Sequence, residues 1–224
     1  MLLTIFAMVI CTAFAGCQKE KEPAVRPATD PPPSEGIVVA VGDSLTAGYL
    51  VPESDAYPAK LEQKLHHAGY RWRVVNAGIS GETSSGALSR VDWMLKLKPD
   101  IVILETGAND GLRGVNPQLT RKNIDKIVSA LQAKGVVVVL AGMQMLKNLG
   151  ASYVEEFAAI YPLVAKKHDL ILIPFFLANV AGDATLNQAD GMHPLPQGYR
   201  IVTETVYPYL IQAIEKKRGG KPRQ

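Results

Sequence analysis

The sequence predicts an α/β domain built on a parallel sheet, and three observations carry that expectation. From Ile37 onwards, short β-branched runs alternate with longer stretches whose apolar residues recur every three or four positions. The runs are apolar throughout rather than alternating, which is the mark of strands covered on both faces. Each intervening stretch is long enough for the right-handed crossover that joins parallel neighbours.

Strands are expected at residues 37–41, 73–76, 101–106, 136–141 and 170–173, and helices at 56–68, 83–97, 117–134, 151–167 and 196–216. This is the βαβαβ order of an open sheet with helices on both faces. It fills residues 37–216 as one domain without internal repeat. The 224 residues are 47% apolar and 20% charged, a composition typical of folded proteins. Their 24 Lys and Arg stand against 21 Asp and Glu, with the signs interspersed, so nucleic acid is not an expected partner.

The first 15 residues carry no charge, and the run through Leu2, Leu3, Ile5, Phe6, Met8, Val9 and Ile10 is too short to span a bilayer. It reads as an export signal. Phe14-Ala15-Gly16-Cys17 resembles the bacterial lipobox, which implies a lipoprotein-type signal peptide over 1–16 and a lipidated Cys17 as the mature N-terminus. Residues 17–36 contain Lys19-Glu20-Lys21-Glu22, Pro23, Pro27, Pro31, Pro32 and Pro33 and almost nothing to bury, so a disordered tether is expected. Residues 217–224 read as a basic flexible tail. Both cysteines, Cys11 and Cys17, lie in the leader region, which leaves the folded part without thiols for a disulfide or a metal.

Sheets of this kind bind their ligands beyond the carboxyl ends of the strands. Small and polar residues gather there: Gly42-Asp43-Ser44-Leu45 after the first run, Ala77-Gly78-Ile79-Ser80-Gly81 after the second, Gly107-Ala108-Asn109-Asp110 after the third, and Asp190-Gly191-Met192-His193-Pro194 before the last helix. A serine attacks a carbonyl only when a base takes its proton, and that base works best when a carboxylate fixes its tautomer. Ser44, His193 and Asp190 supply nucleophile, base and acid. The oxyanion formed on attack needs donors already in place. The candidates are the backbone N–H groups of Ser44 and Gly78 and the side-chain amide of Asn109.

The other histidines fit structural roles. His66 and His67 are adjacent on a helix and diverge, making a poor metal pair, and His168 suits a cation at a helix C-terminus. The sequence has no Gly-x-Ser-x-Gly, Gly-x-Gly-x-x-Gly, Walker or His-Glu-x-x-His motif, so neither cofactor nor metal is called for.

Taken together, Gly42-Asp43-Ser44-Leu45, Asn76-Ala77-Gly78, Gly107-Ala108-Asn109-Asp110 and Asp190-Gly191-Met192-His193-Pro194 resemble the four blocks of the SGNH (GDSL) hydrolases, within them the bacterial arylesterase, thioesterase and lysophospholipase L1 group. The resemblance implies a flavodoxin-like three-layer α/β/α sandwich with a five-stranded sheet in the order 2-1-3-4-5. It implies the roles given above for Ser44, Gly78, Asn109, Asp190 and His193. It also implies a serine esterase for aryl and short-to-medium acyl esters, with thioesters and lysophospholipids within range. One departure is Ala108, where the family usually has glycine, and its methyl group adjoins Asn109.

Met143, Met145, Leu146 and Leu149 follow the fourth strand, and Phe175, Phe176, Leu177 and Val180 follow the fifth. They suggest an acyl pocket, with Met143, Met145, Leu146, Phe175 and Phe176 as its main lining. Arg113 could meet an anionic head group. The expected partner is a small ester, met by a monomer that is exported to the periplasm or cell envelope and held to a membrane by its lipid. A carbohydrate O-acetylesterase and a non-catalytic lipid-anchored binding module are the alternatives.

Overall fold

A computed structural model describes residues 33–219. The expected leader, Cys17 and most of the tether lie outside the described residues, as does the tail beyond 219. Five strands, β1 (Gly36–Gly42), β2 (Trp72–Gly78), β3 (Ile101–Glu105), β4 (Val137–Ala141) and β5 (Ile171–Ile173), form one parallel sheet in the order β2-β1-β3-β4-β5. Val38–Val41 of β1 lie in register between Val74–Ala77 and Ile101–Leu104. The centre of the sheet, Val38 to Val41 and Ile101 to Leu104, is shut off from solvent. The edge strands β2 and β5 are half-buried, and there the apolar runs are weakest.

Helices cover both faces. On one, α2 (Tyr57–His67) packs against the long C-terminal α8 (Pro196–Lys217). On the other lie α3 (Ser84–Ser89), α4 (Val91–Lys96), α6 (Pro117–Gln132) and α7 (Ala151–His168). Helix α6 starts cleanly because the Asn116 side chain accepts the Gln118 N–H and Pro117 occupies the first turn, where its missing donor costs nothing.

The helix expected at 83–97 is two helices. The chain leaves the helical region at Arg90 (φ −110°, ψ 14°), whose guanidinium turns back to donate to Glu82 at 2.6 Å and to the Ala77 carbonyl at 2.8 Å. That largely buried ion pair fastens the loop after β2. His168 closes α7 as expected, but its ring meets Asp125 (2.7 Å) and Gln132 (3.2 Å) of α6 rather than the carbonyls of its own helix. His66 Nε2 donates to the Trp72 carbonyl.

Two short helices at the carboxyl edge, α1 (Ser44–Ala47) and α5 (Ala108–Leu112), escaped the sequence reading because neither completes the periodic apolar face that reveals longer helices. They carry Ser44 and Asn109.

Candidate active site

Ser44 opens α1 directly beyond the central strand. Asp43 caps that helix by accepting the Leu45 N–H at 2.9 Å, and Gly48 ends it in the left-handed region (φ 79°). The cap fixes the only residue between strand and helix, and so fixes Ser44.

His193 arrives from the other end of the chain on a loop pinned to itself. Asn187 and Pro194 form an antiparallel bridge, the Gln188 N–H donates to the His193 carbonyl (2.8 Å), and the Leu195 N–H donates to the Leu186 carbonyl (2.8 Å). In this loop Asp190 accepts three hydrogen bonds. One oxygen takes the backbone N–H groups of Met192 (2.8 Å) and His193 (3.0 Å); the other lies 2.6 Å from His193 Nδ1. The His193 N–H, then the imidazole and the Met192 N–H, hold the Asp190 carboxyl at about 2. An ionised carboxylate can only accept, so the imidazole proton sits on Nδ1 and Nε2 is left as an acceptor. Nε2 lies 2.8 Å from Ser44 Oγ. Tyr49 supports the imidazole, with 4.7 Å between ring centroids.

Beside this line, Asn109 Nδ2 donates to Asp43 Oδ2 at 3.0 Å. The amide has a second hydrogen, and Asn109 borders the same cavity as Ser44 and His193. Helix α5 is held from below by the buried Asp110, which accepts from the Ser84 N–H (2.7 Å), Ser84 Oγ (2.5 Å) and Thr120 Oγ1 (3.2 Å). Ala108 takes the first position of that helix with its methyl group buried, so the departure from glycine is accommodated by the local backbone. Among the described residues no three His, Cys, Asp or Glu side chains cluster to hold a metal.

Residues 40–201 match the GDSL-like lipase/acylhydrolase family. The chain belongs to this family. It is 40% identical over 174 residues to the esterase TesA of Pseudomonas aeruginosa, covering 77% of this chain and 87% of that one. It is 40% identical over 158 residues to the thioesterase 1/protease 1/lysophospholipase L1 of Escherichia coli K12, covering 70% and 74%. A crystal structure of TesA superposes with a TM-score of 0.77 at 39% identity, over 79% of this chain and 99% of that one. The protein is thus a GDSL-type serine hydrolase of carboxylic esters, with the three-layer fold of its family.

Within this GDSL site one expected donor is already engaged. The Gly78 N–H is taken by Asn76 Oδ1 at 3.0 Å, and Gly78 does not border the cavity. Its missing side chain serves another purpose: a Cβ there would strike the backbone of Ala47, with the Ala47 Cα at 2.7 Å. Gly78 lets α1 lie against β2. Gly81, three residues on, borders the cavity in the left-handed region (φ 78°), and its N–H has no acceptor among the described residues. Gly78→Ala is therefore expected to fail by packing. Forcing α1 off β2 should destabilise the fold by about 1–3 kcal/mol. A shift of about 1 Å at Ser44 should slow turnover about 100-fold. Thermal melting and a p-nitrophenyl acetate assay on the same sample would read both.

The cavity holds about 360 Å³ and is lined on its apolar side by Leu112, Met143, Met145, Leu146, Phe175 and Leu177. Four of the five expected lining residues are among them. Phe176 is not: it is fully buried in the core, edge-on to Tyr57 at 5.2 Å between centroids. Val180 is likewise core, and Leu149 stands outside the cavity. Arg113 does not border the cavity; its guanidinium donates to the Gly81 carbonyl at 3.0 Å and ties the loop after β3 to the loop after β2. The sequence reading missed Leu112, Tyr49 and Met192 at the mouth, all exposed apolar side chains in polar surroundings.

Proposed function

We propose that the protein hydrolyses aryl and short-to-medium acyl esters through an acyl-enzyme on Ser44, with thioesters and lysophospholipids within its range. The observation that carries this reading is the unbroken line Ser44–His193–Asp190 opening into an apolar cavity of about 360 Å³. Ser44 Oγ gives its proton to His193 Nε2 and attacks the carbonyl carbon. The negative charge that develops on the carbonyl oxygen is met by the Ser44 and Gly81 N–H groups and by the free Asn109 amide hydrogen. His193 then protonates the leaving group, and water, activated by the same nitrogen, releases the acid.

Cavity size supports the substrate class, since it lies at the lower end of small-molecule sites and is dominated by methionine, leucine and phenylalanine side chains that adapt to chains of different shape. The name of the E. coli relative supports thioesters and lysophospholipids. The test is an acyl-chain series on p-nitrophenyl esters and acyl thioesters, with acetylated polysaccharide in parallel. kcat/KM should rise from acetyl to a medium chain and then level off. A clear preference for acetyl, together with release of acetate from the glycan, would instead make this a carbohydrate esterase.

The uncharged leader and the Cys17 motif support export and attachment to a cell-envelope membrane through a lipid on Cys17. Mass spectrometry of the protein isolated from membranes would show the acylated N-terminus. Release of the unmodified protein as a soluble form would refute the anchor.

A further inference from the structure

One buried ionisable group has no part in the reaction just described. Glu105 ends β3 under the nucleophile, with no solvent exposure. Its Oε2 accepts the Asp43 N–H at 3.1 Å and Thr46 Oγ1 at 3.0 Å, while Oε1 receives no donor among the described residues. Gly42 is a glycine because a Cβ would run into Glu105 Oε2 and Thr46 Oγ1, so strand, cap and helix all close around this one carboxyl. The Asp43 carboxyl is near enough for its charge to weigh on Glu105.

Two neighbouring carboxyls in a dry interior are not both ionised. The donors decide which. Both Asp43 oxygens are served, by the Leu45 N–H and by Asn109 Nδ2, whereas an ionised Glu105 would leave half its charge on an oxygen that no donor reaches. We propose that Glu105 is a neutral acid whose Oε2 accepts the Asp43 N–H and Thr46 Oγ1, and that these bonds hold Asp43 where it caps the Ser44 helix and orients the Asn109 amide. Glu105 is thereby a positioning residue for both nucleophile and oxyanion donor. Burial and the neighbouring Asp43 charge push its carboxyl well above the usual carboxylate range; the other titratable groups facing it, Tyr57, Tyr161 and Tyr199, are buried phenols that stay neutral.

The test compares Glu105→Gln with Glu105→Leu in the otherwise intact protein. Glutamine keeps the carbonyl for the Asp43 N–H and Thr46 and stays uncharged. Leucine keeps only volume. The leucine variant should lose about 100-fold in kcat with KM changed less than about 3-fold, because only the placement of reacting groups is disturbed. Glutamine should restore most of that loss. Infrared difference spectra of wild type against Glu105→Gln at neutral pH should show a carboxylic-acid C=O band present only in the wild type. A group that takes up a proton on folding also makes stability fall as pH rises above its unfolded value, so the melting temperature should decline from weakly acid to alkaline pH more steeply in the wild type than in Glu105→Gln. Loss of activity in the glutamine variant equal to that in leucine, or absence of the acid band, would overturn the proposal. So would a folded leucine variant of undiminished kcat.

Discussion

Replacing Ser44 by alanine is expected to lower kcat for ester hydrolysis by about 10⁶-fold, the loss seen when the nucleophile of a serine–histidine–acid unit is removed. The fold should be unaffected. Ser44 is only half-buried, its side chain bonds to His193 alone among the described residues, and the cap that holds its helix belongs to Asp43. Equal melting temperatures with a collapsed rate would separate chemistry from stability, and a fluorophosphonate should label the wild type and leave the variant untouched. A variant that kept more than about 1% of the rate would place the nucleophile elsewhere.

The second large effect is expected at Asp190. In Asp190→Asn the amide oxygen would keep the Met192 and His193 N–H groups, which leaves the NH₂ group facing His193 Nδ1. That nitrogen must then accept, so the imidazole proton moves to Nε2 and confronts Ser44 with a donor where an acceptor is needed. The expected loss in kcat is about 10⁴-fold, with KM little changed. The substitution also carries a stability signature whose sign is fixed. The native carboxyl titrates at about 2, below its ordinary value of 3.8, so its stabilising contribution is present above that value and is lost as the pH falls towards 2. The asparagine variant has no such group. Its melting temperature should fall less than that of the wild type over the same acid range, and parallel curves would show that the carboxylate is not held by the folded loop.

Much of this architecture was legible in the sequence because its determinants are local. A short, β-branched, uninterrupted run such as Ile101-Val102-Ile103-Leu104 fits a strand with both faces covered, and the small polar residues behind each run mark one edge of the sheet. Ser44 and His193 lie 149 positions apart, yet one opens a helix and the other sits in a loop at that same edge, and topology brings them together. What escaped depends on direction rather than residue type. Gly78 and Gly81 occupy the same loop, and nothing in their letters says that Asn76 Oδ1 takes one N–H and leaves the other free. Phe175 and Phe176 are neighbours, but the chain turns between them, sending one ring to the cavity and the other into the core against Tyr57. The break in the helix at Arg90 arises from an ion pair with Glu82, a contact stronger than the periodic pattern that argued for continuity. Glu105 was hidden for the opposite reason. It ends an apolar strand, where a charged residue ordinarily marks the way out to water, and here the chain closes over it.

Asp190 and His193 occupy a single tight turn whose own bridge and backbone bonds tie it together, while Ser44 rides on a different, deeply rooted part of the molecule. Base and orienting acid are therefore placed together, by one local set of bonds. The bond that fixes the imidazole's tautomer is thus made within three residues, while the approach of Nε2 to Oγ joins two distant parts of the chain.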